Sequence, residues 1–469
     1  MRHAHTVEQV RAAERSLMAT LPDGALMQRA ATGLARACMD VLRGADGRGG
    51  VYGARVLLLV GSGDNGGDAL YAGALLARRG ASVEAMLLGS KAHDGGLAAF
   101  RRAGGGLGTR VGDPDLVIDG IVGIGGKGGL RDDAATAVAA VQDGAAAVVA
   151  VDVPSGIDAD SGRAGGPHVR ADVTVTFGTP KVGLVVDPGA AAAGVVELVD
   201  IGLGPHLGEP GLEVLQRADV RRLLPTPSAD AHKYTRGVLG VAAGSEQYTG
   251  AGVLVVSAAV ATGLAGMVRY EGASAPLIRA AHPEVVIGPG QVQAWVVGSG
   301  LGRGLASQVS SVLAERLPTV VDADGLSHLP TQAKAPRVLT PHAGELAGML
   351  DVPRAQVEGD MLESAREAAR RWDSVVLLKG ARSVIAAPDG RVRVNTTGVP
   401  WLATAGAGDV LSGVIGTLLA AGLDAFDAGS VGAWLHGAAA ALASRGGPVA
   451  AMDVVAALPS AVRQVLDDR

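Results

Sequence analysis

The chain has 469 residues, 48% of them hydrophobic and 19% charged, which is enough apolar material for two folded domains and rules out global disorder. A net charge of −5 with no basic run gives no footing for nucleic acid as a partner. The single cysteine, Cys38, excludes an internal disulfide and suits a reducing, cytoplasmic setting, and the charged opening MRHAHTVEQVRAAERS does not have the make-up of a signal peptide.

In chain order, residues 6–43 read as helical. A buried strand follows at 55–60, then a helix at 68–79 and strands at 83–88, 116–119 and 147–151. Residues 171–177 and 195–200 supply the last strands of this half. Continuous apolar strands separated by helices indicate a parallel sheet covered on both faces. The Gly-, Pro- and Leu-rich stretch 202–227 holds the domain junction, near 205–220, giving domains 1–210 and 211–469.

The second half has strand patterns at 237–242, 285–287, 294–298, 319–322, 337–339 and 374–378. Helical patterns fill the gaps at 251–266, 306–316, 344–350, 361–371, 410–421 and 425–445. It too is α/β. The uncharged stretch 247–268 is long enough to span a bilayer, but its Gly, Ser and Thr content after a glycine turn points to a buried helix, so no membrane association is expected.

Glycine-bearing strand ends carry the candidate chemistry. In the first half, Gly61-Ser62-Gly63-Asp64-Asn65-Gly66-Gly67-Asp68 follows a strand and feeds a helix, the arrangement with which doubly wound sheets cradle phosphates. Asp119 ends the next strand before the loop Gly123-Ile124-Gly125-Gly126-Lys127-Gly128-Gly129, and Asp152 stands in Val151-Asp152-Val153-Pro154-Ser155-Gly156. In a parallel sheet these ends meet on one rim, where carboxylate, amide and hydroxyl oxygens can gather round a hard cation.

In the second half, the stretch Trp401 to Asp409 sets Gly406 and Gly408 before a long apolar run. Backbone N–H groups at such a helix start attract an anion, and Asp409 can take a proton from a substrate hydroxyl. Gly244-Ser245, Gly250-Ala251-Gly252, Gly298-Ser299-Gly300-Leu301-Gly302, Asp322-Ala323-Asp324-Gly325, Pro341-His342-Ala343-Gly344-Glu345 and Lys379-Gly380-Ala381-Arg382-Ser383 mark the neighbouring strand ends. Lysine is rare here, six residues against thirty-five arginines, and four of the six (Lys127, Lys181, Lys233, Lys379) fall in these glycine-rich or Gly/Pro-flanked segments.

The first-half motifs Asn65-Gly66-Gly67-Asp68, Val151-Asp152-Val153-Pro154-Ser155-Gly156 and Phe177-Gly178-Thr179-Pro180-Lys181 resemble the NAD(P)H-hydrate epimerase family over about residues 5–205. The resemblance implies a Rossmann-like three-layer αβα domain that interconverts the R and S hydrates of NADH and NADPH. It implies a potassium site on Asn65, Asp119 and Ser155, hydrate contacts at 64–68, 123–129 and Asp152, and acid–base work by Asp119. One departure is Asp64, where the family usually has a second asparagine.

The second half resembles the ADP- or ATP-dependent NAD(P)H-hydrate dehydratase family, of ribokinase-like α/β fold, over about 220–465. That likeness implies adenine-nucleotide contacts at Lys379, Gly380, Ala381, Arg382, Ser383 and Gly408, and hydrate contacts at Ala251, Gly300, Gly302, His342 and Asp409. Asp409 would be the catalytic base, and Mg2+ would accompany ADP. Departures are Ser299, commonly proline in the family, and Ala407, often threonine. The expected protein is a cytoplasmic, homo-oligomeric, bifunctional repair enzyme. A ribokinase-like vitamin or sugar kinase, with a non-catalytic N-terminal binding module, stays open as an alternative.

Overall fold

A computed structural model describes residues 1–44, 50–302 and 306–467. The chain divides into two compact units, His3–Leu212 and Met1–Arg2 with Glu213–Arg469.

In the first unit seven parallel strands lie in the order Gly106–Leu107, Ser82–Leu87, Arg55–Val60, Leu116–Gly120, Ala147–Val151, Val173–Phe177, Val195–Val199. The winding direction reverses between Arg55–Val60 and Leu116–Gly120, the place where open α/β sheets leave a crevice for ligands. Leu58 and Val60 join the core beneath helices Ala25–Gly44 and Asp64–Arg78, while Leu57 and Leu59 pack on the opposite face against helix Asp132–Gln142. Both faces are covered, so the strands are apolar throughout rather than alternating.

The helix after the first strand starts at Asp64, not at Asp68 as the sequence suggests, so 64–68 form its first turn instead of a loop. The glycines allow this. A Cβ at Gly66 would lie 2.2 Å from the Gly61 carbonyl oxygen, so only glycine lets the helix start press against the end of its strand.

Nine strands of the second unit's sheet run in the order Val286–Ile287, Met267–Tyr270, Val238–Ala242, Ala294–Val297, Thr319–Val321, Arg337–Leu339, Val375–Leu378, Ser383–Ala386, Val392–Asn395. The first seven are parallel and the last two form an antiparallel hairpin. Here the reversal falls between Val238–Ala242 and Ala294–Val297. Helices Thr249–Thr262, Ala407–Ala420, Ala425–Ser444 and Ala451–Leu466 supply much of the core, with Val410, Val414 and Leu418 fully buried.

The apolar stretch 247–268 breaks after Thr262 at Gly263, a left-handed cap, and continues into strand Met267–Tyr270. Among the described residues no helix is long and apolar enough to cross a membrane.

Gly66→Ala should destabilise the first unit by ~1–3 kcal/mol through forced overpacking, read as a lower melting temperature with the second unit's transition unmoved. An unchanged melting profile would contradict the close helix–strand contact.

Candidate functional site

The carboxyl ends of the first sheet open into a cavity of about 870 Å³ lined by Asp64, Asn65, Asp68, the loop from Ile121 to Arg131, Asp152 and, from helix Val7–Met18, Arg11 and Glu14. Of the expected hydrate-binding residues, Asp64, Asn65, Asp68, 123–129 and Asp152 therefore border one space, while Gly66 and Gly67 are buried in the helix start and do not line it. A Cβ at Gly123 would stand 2.6 Å from Asn65 Oδ1, so loop and helix start touch.

Asp119 and Ser155 are both fully buried and joined, the Ser155 hydroxyl donating to Asp119 Oδ1 at 2.6 Å and the Ser155 amide to Oδ2 at 2.8 Å. The Val122 amide donates to Ser155 Oγ at 3.0 Å. Burial raises Asp119 to about 6 against the lowering effect of these hydrogen bonds. Asp119 and Ser155 are not among the residues lining the cavity.

The carboxyls that do face the cavity are crowded. Burial first, and then the charges of Asp152, Asp64 and Glu14, raise Asp68 well above the usual carboxylate range. Burial likewise raises Glu14, with Lys181 opposing and Asp152 and Asp64 adding. Asp68 Oδ1 and Asn65 Nδ2 are buried without a protein partner, polar atoms left over at the cavity wall. Asp152 accepts hydrogen bonds from the buried Lys181 ammonium, from Thr176 Oγ1 at 3.2 Å and from the Phe177 amide at 3.3 Å.

In the second unit the hub is Asp322, buried at the end of Thr319–Val321. Its Oδ1 accepts from Lys379 Nζ at 3.0 Å and Thr340 Oγ1 at 2.8 Å, its Oδ2 from Ser412 Oγ at 3.0 Å and Ser299 Oγ at 3.2 Å. Burial would raise this carboxyl, but the Lys379 charge and the hydrogen bonds hold it below its ordinary range. Lys379 in turn, despite burial, is raised by Asp322 and by Glu345, whose carboxylate lies 3.8 Å away.

Over this pair sits the start of helix Ala407–Ala420, capped by Gly406 with φ of 85°, a conformation that favours glycine. A Cβ on Gly408 would be 3.3 Å from Lys379 Nζ and 3.8 Å from Asp322 Oδ2. Asp409 falls in the helix's first turn. Burial and the Asp322 charge raise it to about 6, while a hydrogen bond from Ser299 and the charge of Lys379 pull the other way. The structure thus brings Asp409, Gly408 and Lys379 together.

Of the remaining expected residues, Ala251 and Gly300 adjoin, since a Cβ on Gly300 would meet Ala251 Cβ at 2.6 Å. The Gly302 amide donates to Asp324 Oδ2 at 2.9 Å. His342 caps helix Ala343–Leu350 through Glu345 and pairs across a β-bridge with Lys379. Ser383 Oγ closes the Gly380–Ser383 turn at 3.4 Å, with Ala381 exposed and Arg382 part-exposed within it. Lys127 is exposed in its loop. Lys233 is exposed too, its ammonium 5.2 Å over the Tyr234 ring and its backbone against Gly266, at the amino ends of the strands rather than with this cluster.

Sequence reasoning missed Glu14 and Arg11, which come from a helix about fifty residues before the nearest motif, and did not single out Thr340 or Ser412. A polar residue at a strand end (Thr340), or on a buried helix face four residues past Gly408 (Ser412), was the available signal for the last two.

A seven-stranded αβα unit and a second α/β unit, each with polar side chains gathered at the carboxyl ends of parallel strands, make this a two-domain α/β protein. A family model described as NAD(P)H-hydrate dehydratase matches residues 239–459, and one described as YjeF-related protein N-terminus matches 23–183. A Mycobacterium leprae protein named bifunctional NAD(P)H-hydrate repair enzyme Nnr is 47% identical over 459 residues, 95% of this chain and 94% of the relative. Its namesake in Mycobacterium tuberculosis is 49% identical over 445 residues, 91% of each. Among solved structures, the ADP/ATP-dependent NAD(P)H-hydrate dehydratase from Bacillus subtilis, co-crystallised with ATP and Mg2+, is 30% identical with a TM-score of 0.52, covering 54% of this chain and 99% of that one. The chain belongs to the bifunctional NAD(P)H-hydrate repair enzyme family, and its second unit has the ribokinase-like fold.

Lys379→Met should cost the second unit ~3–5 kcal/mol by stranding a buried carboxylate, and Lys379→Met with Asp322→Leu should recover part of that loss in a denaturant titration. A double variant less stable than the single one would contradict the pairing.

Proposed function

We propose that the first unit interconverts the R and S hydrates of NADH and NADPH at nicotinamide C6. The second unit then dehydrates the S form with ADP as phosphoryl donor, releasing AMP and phosphate. One observation carries the reading: Asp409, at the start of a buried helix beside Lys379, in a chain matched nearly end to end by a bifunctional repair enzyme.

In the second unit Asp409 takes the proton of the C6 hydroxyl as that oxygen attacks the terminal phosphoryl group of ADP, and the bond to AMP breaks. The N–H groups of 406–408 and the helix dipole stabilise the charge on the group in transit. Phosphate then leaves C6 with its electron pair, the C5 proton is lost, and the dihydronicotinamide double bond returns. Lys379 to Ser383 and Gly408 bind the nucleotide, and Ala251, Gly300, Gly302 and His342 contact the hydrate. Mg2+ would accompany the nucleotide's phosphates and neutralise part of their charge.

In the first unit Asn65, Asp119 and Ser155 would hold potassium. One carboxylate with neutral oxygens suits a monovalent cation, and Asp119 is fully buried with a hydroxyl and two amides as its partners. Because Asp119 lies off the cavity wall, proton transfer to the ligand passes to Asp68, with Asp152 beside it held by Lys181. Inversion at C6 requires a bond to be broken and remade from the other face, and a carboxyl that keeps its proton can supply and recover it.

Two outcomes test this. Asp409→Asn should lower dehydration ~10²–10⁴-fold, the usual contribution of a general base, with nucleotide binding retained. Because the base must be ionised, turnover of the parent enzyme should rise with pH through about 6 and level off above it. The assay is recovery of dihydronicotinamide absorbance from mixed R and S hydrate with ADP or ATP. Full recovery supports both activities; recovery that stops at the S fraction removes the epimerase, and a stable phosphorylated product replaces the dehydratase with a kinase. Separately, potassium at constant ionic strength should raise the first unit's melting temperature more than tetramethylammonium does, and Ser155→Ala should abolish the difference. Equal effects of the two cations on the parent chain would remove the potassium site.

A further inference from the structure

We propose that Arg11 is a phosphate-contacting residue of the first unit's cavity, holding a phosphate of the dinucleotide hydrate against the loop 123–129. The inference rests on the reading of this cavity as the epimerase site, to which it adds a binding residue and a ligand orientation. Arg11 lies in helix Val7–Met18, whose start is fixed by a capping box between Thr6 and Gln9. The Val7 amide also donates to the Asp160 carboxylate. Val10, Ala13 and Leu17 bury one side of this helix in the core, while Arg11 and, a turn further on, Glu14 line the cavity. A Cβ at Gly125 would lie 3.5 Å from Arg11 Nη2, so the guanidinium stands against the glycine loop.

The cations of this cavity gather on that loop. Lys127 and Arg131 belong to it or follow it directly, and Arg11 rests on Gly125. All three are exposed, and among the described residues none makes an ion pair or a side-chain hydrogen bond. Lys181 is different: its ammonium has three protons, and Asp152, Thr176 Oγ1 and the Phe177 carbonyl take them all. It has none to offer a ligand.

The carboxyls Asp64, Asp68, Asp152 and Glu14 come from other segments of the wall. A hydrated NADH carries a pyrophosphate, a hydrated NADPH a further 2′-phosphate, and in both the reduced ring is uncharged. Four carboxyls repel phosphate and tolerate a neutral ring. The ring therefore lies toward Asp68 and Asp152 and the phosphates toward Arg11 and the loop. A guanidinium offers paired N–H donors in a plane, which match two oxygens of one phosphate, whereas an ammonium supplies charge alone. The pyrophosphate and the 2′-phosphate present this same chemistry, and the test separates them.

The test measures conversion of the purified R hydrates of NADH and NADPH to the S form, by chromatography without added ADP, in the full-length parent, Arg11→Met and Arg11→Lys. Arg11→Met should raise KM for the R hydrate ~10–100-fold, the effect of losing a charge-assisted contact, with kcat within about twofold. Arg11→Lys should recover part of the loss. ADP-dependent dehydration of the S hydrate by the second unit should stay at the parent rate, which reports an intact chain. Equal rises in KM for both hydrates assign the pyrophosphate; a rise confined to the NADPH hydrate assigns the 2′-phosphate. Unchanged KM for both, or a fall in kcat at constant KM, overturns the proposal, the second because it would make Arg11 act on the carboxyls instead. A parent that does not interconvert the hydrates overturns the epimerase reading, and Arg11 is then read with NADPH as the probe. NADPH should raise the first unit's melting temperature more in the parent than in Arg11→Met. No shift in the parent, or an equal one in the variant, overturns the phosphate contact.

Discussion

A carboxylate kept ionised away from water is the constraint on which the second site depends. Asp322 is tolerated only because Lys379, Thr340, Ser412 and Ser299 satisfy it from four different segments. Those segments are the ends of Arg337–Leu339 and Val375–Leu378, helix Ala407–Ala420, and the loop after Ala294–Val297. Parallel pairing delivers the strand ends to one rim, and the hydrogen bonds then fix them to a common point. Buried ion pairs add little net stability. What this one adds is position: an ammonium beside the Gly408 backbone and a negative charge that raises the Asp409 carboxyl.

The first site uses the same strand-end geometry with the opposite electrostatics. Asp64, Asp68, Asp152 and Glu14 line one cavity with Arg11, Lys127 and Arg131, and Asp152 is engaged by the buried Lys181 ammonium. Burial and the charges of Asp152, Asp64 and Glu14 raise Asp68 well above the usual carboxylate range. Asp119, behind that wall, is held apart with Ser155. Retained protons suit bond inversion at carbon, whereas an ionised base beside a lysine suits phosphoryl transfer. The fold is similar in both units, and the balance of charges at the rim differs between them.

Much of this was legible because apolar runs followed by glycine loops mark strand ends, and strand ends are where the sites are. The helix start at Asp64 was not legible: four residues of Asn-Gly-Gly-Asp type read as a loop, since glycine disfavours helices unless packing requires it, and that packing contact with Gly61 is tertiary. The hairpin Ser383–Ala386 with Val392–Asn395 did leave a signal, the turn Pro388-Asp389-Gly390 before alternating Val392-Arg393-Val394. Arg393, which pairs with Glu213 and Asp427, interrupted the apolar pattern. Helix Ala451–Leu466 carries Pro459 in its interior, which argues against a helix on local grounds. Glu14 could not be assigned from sequence because nothing near it says which cavity a half-buried glutamate will face.

Asp409 reaches its ligand from a fixed direction. The helix start sets its backbone, the Asp322 charge acts on its carboxyl, and in the proposed reaction the amides of 406–408 would receive the phosphoryl group. A base and a phosphoryl group in such a frame would meet a hydroxyl presented from one face of a ring. Stereospecificity is therefore a consequence of the rigidity that makes the base effective. A hydrate that forms in both configurations would leave half of its molecules untouched by this site. An isomerising site on the same chain, built from proton-holding carboxyls instead of a phosphoryl frame, removes that limit without loosening the geometry of Asp409.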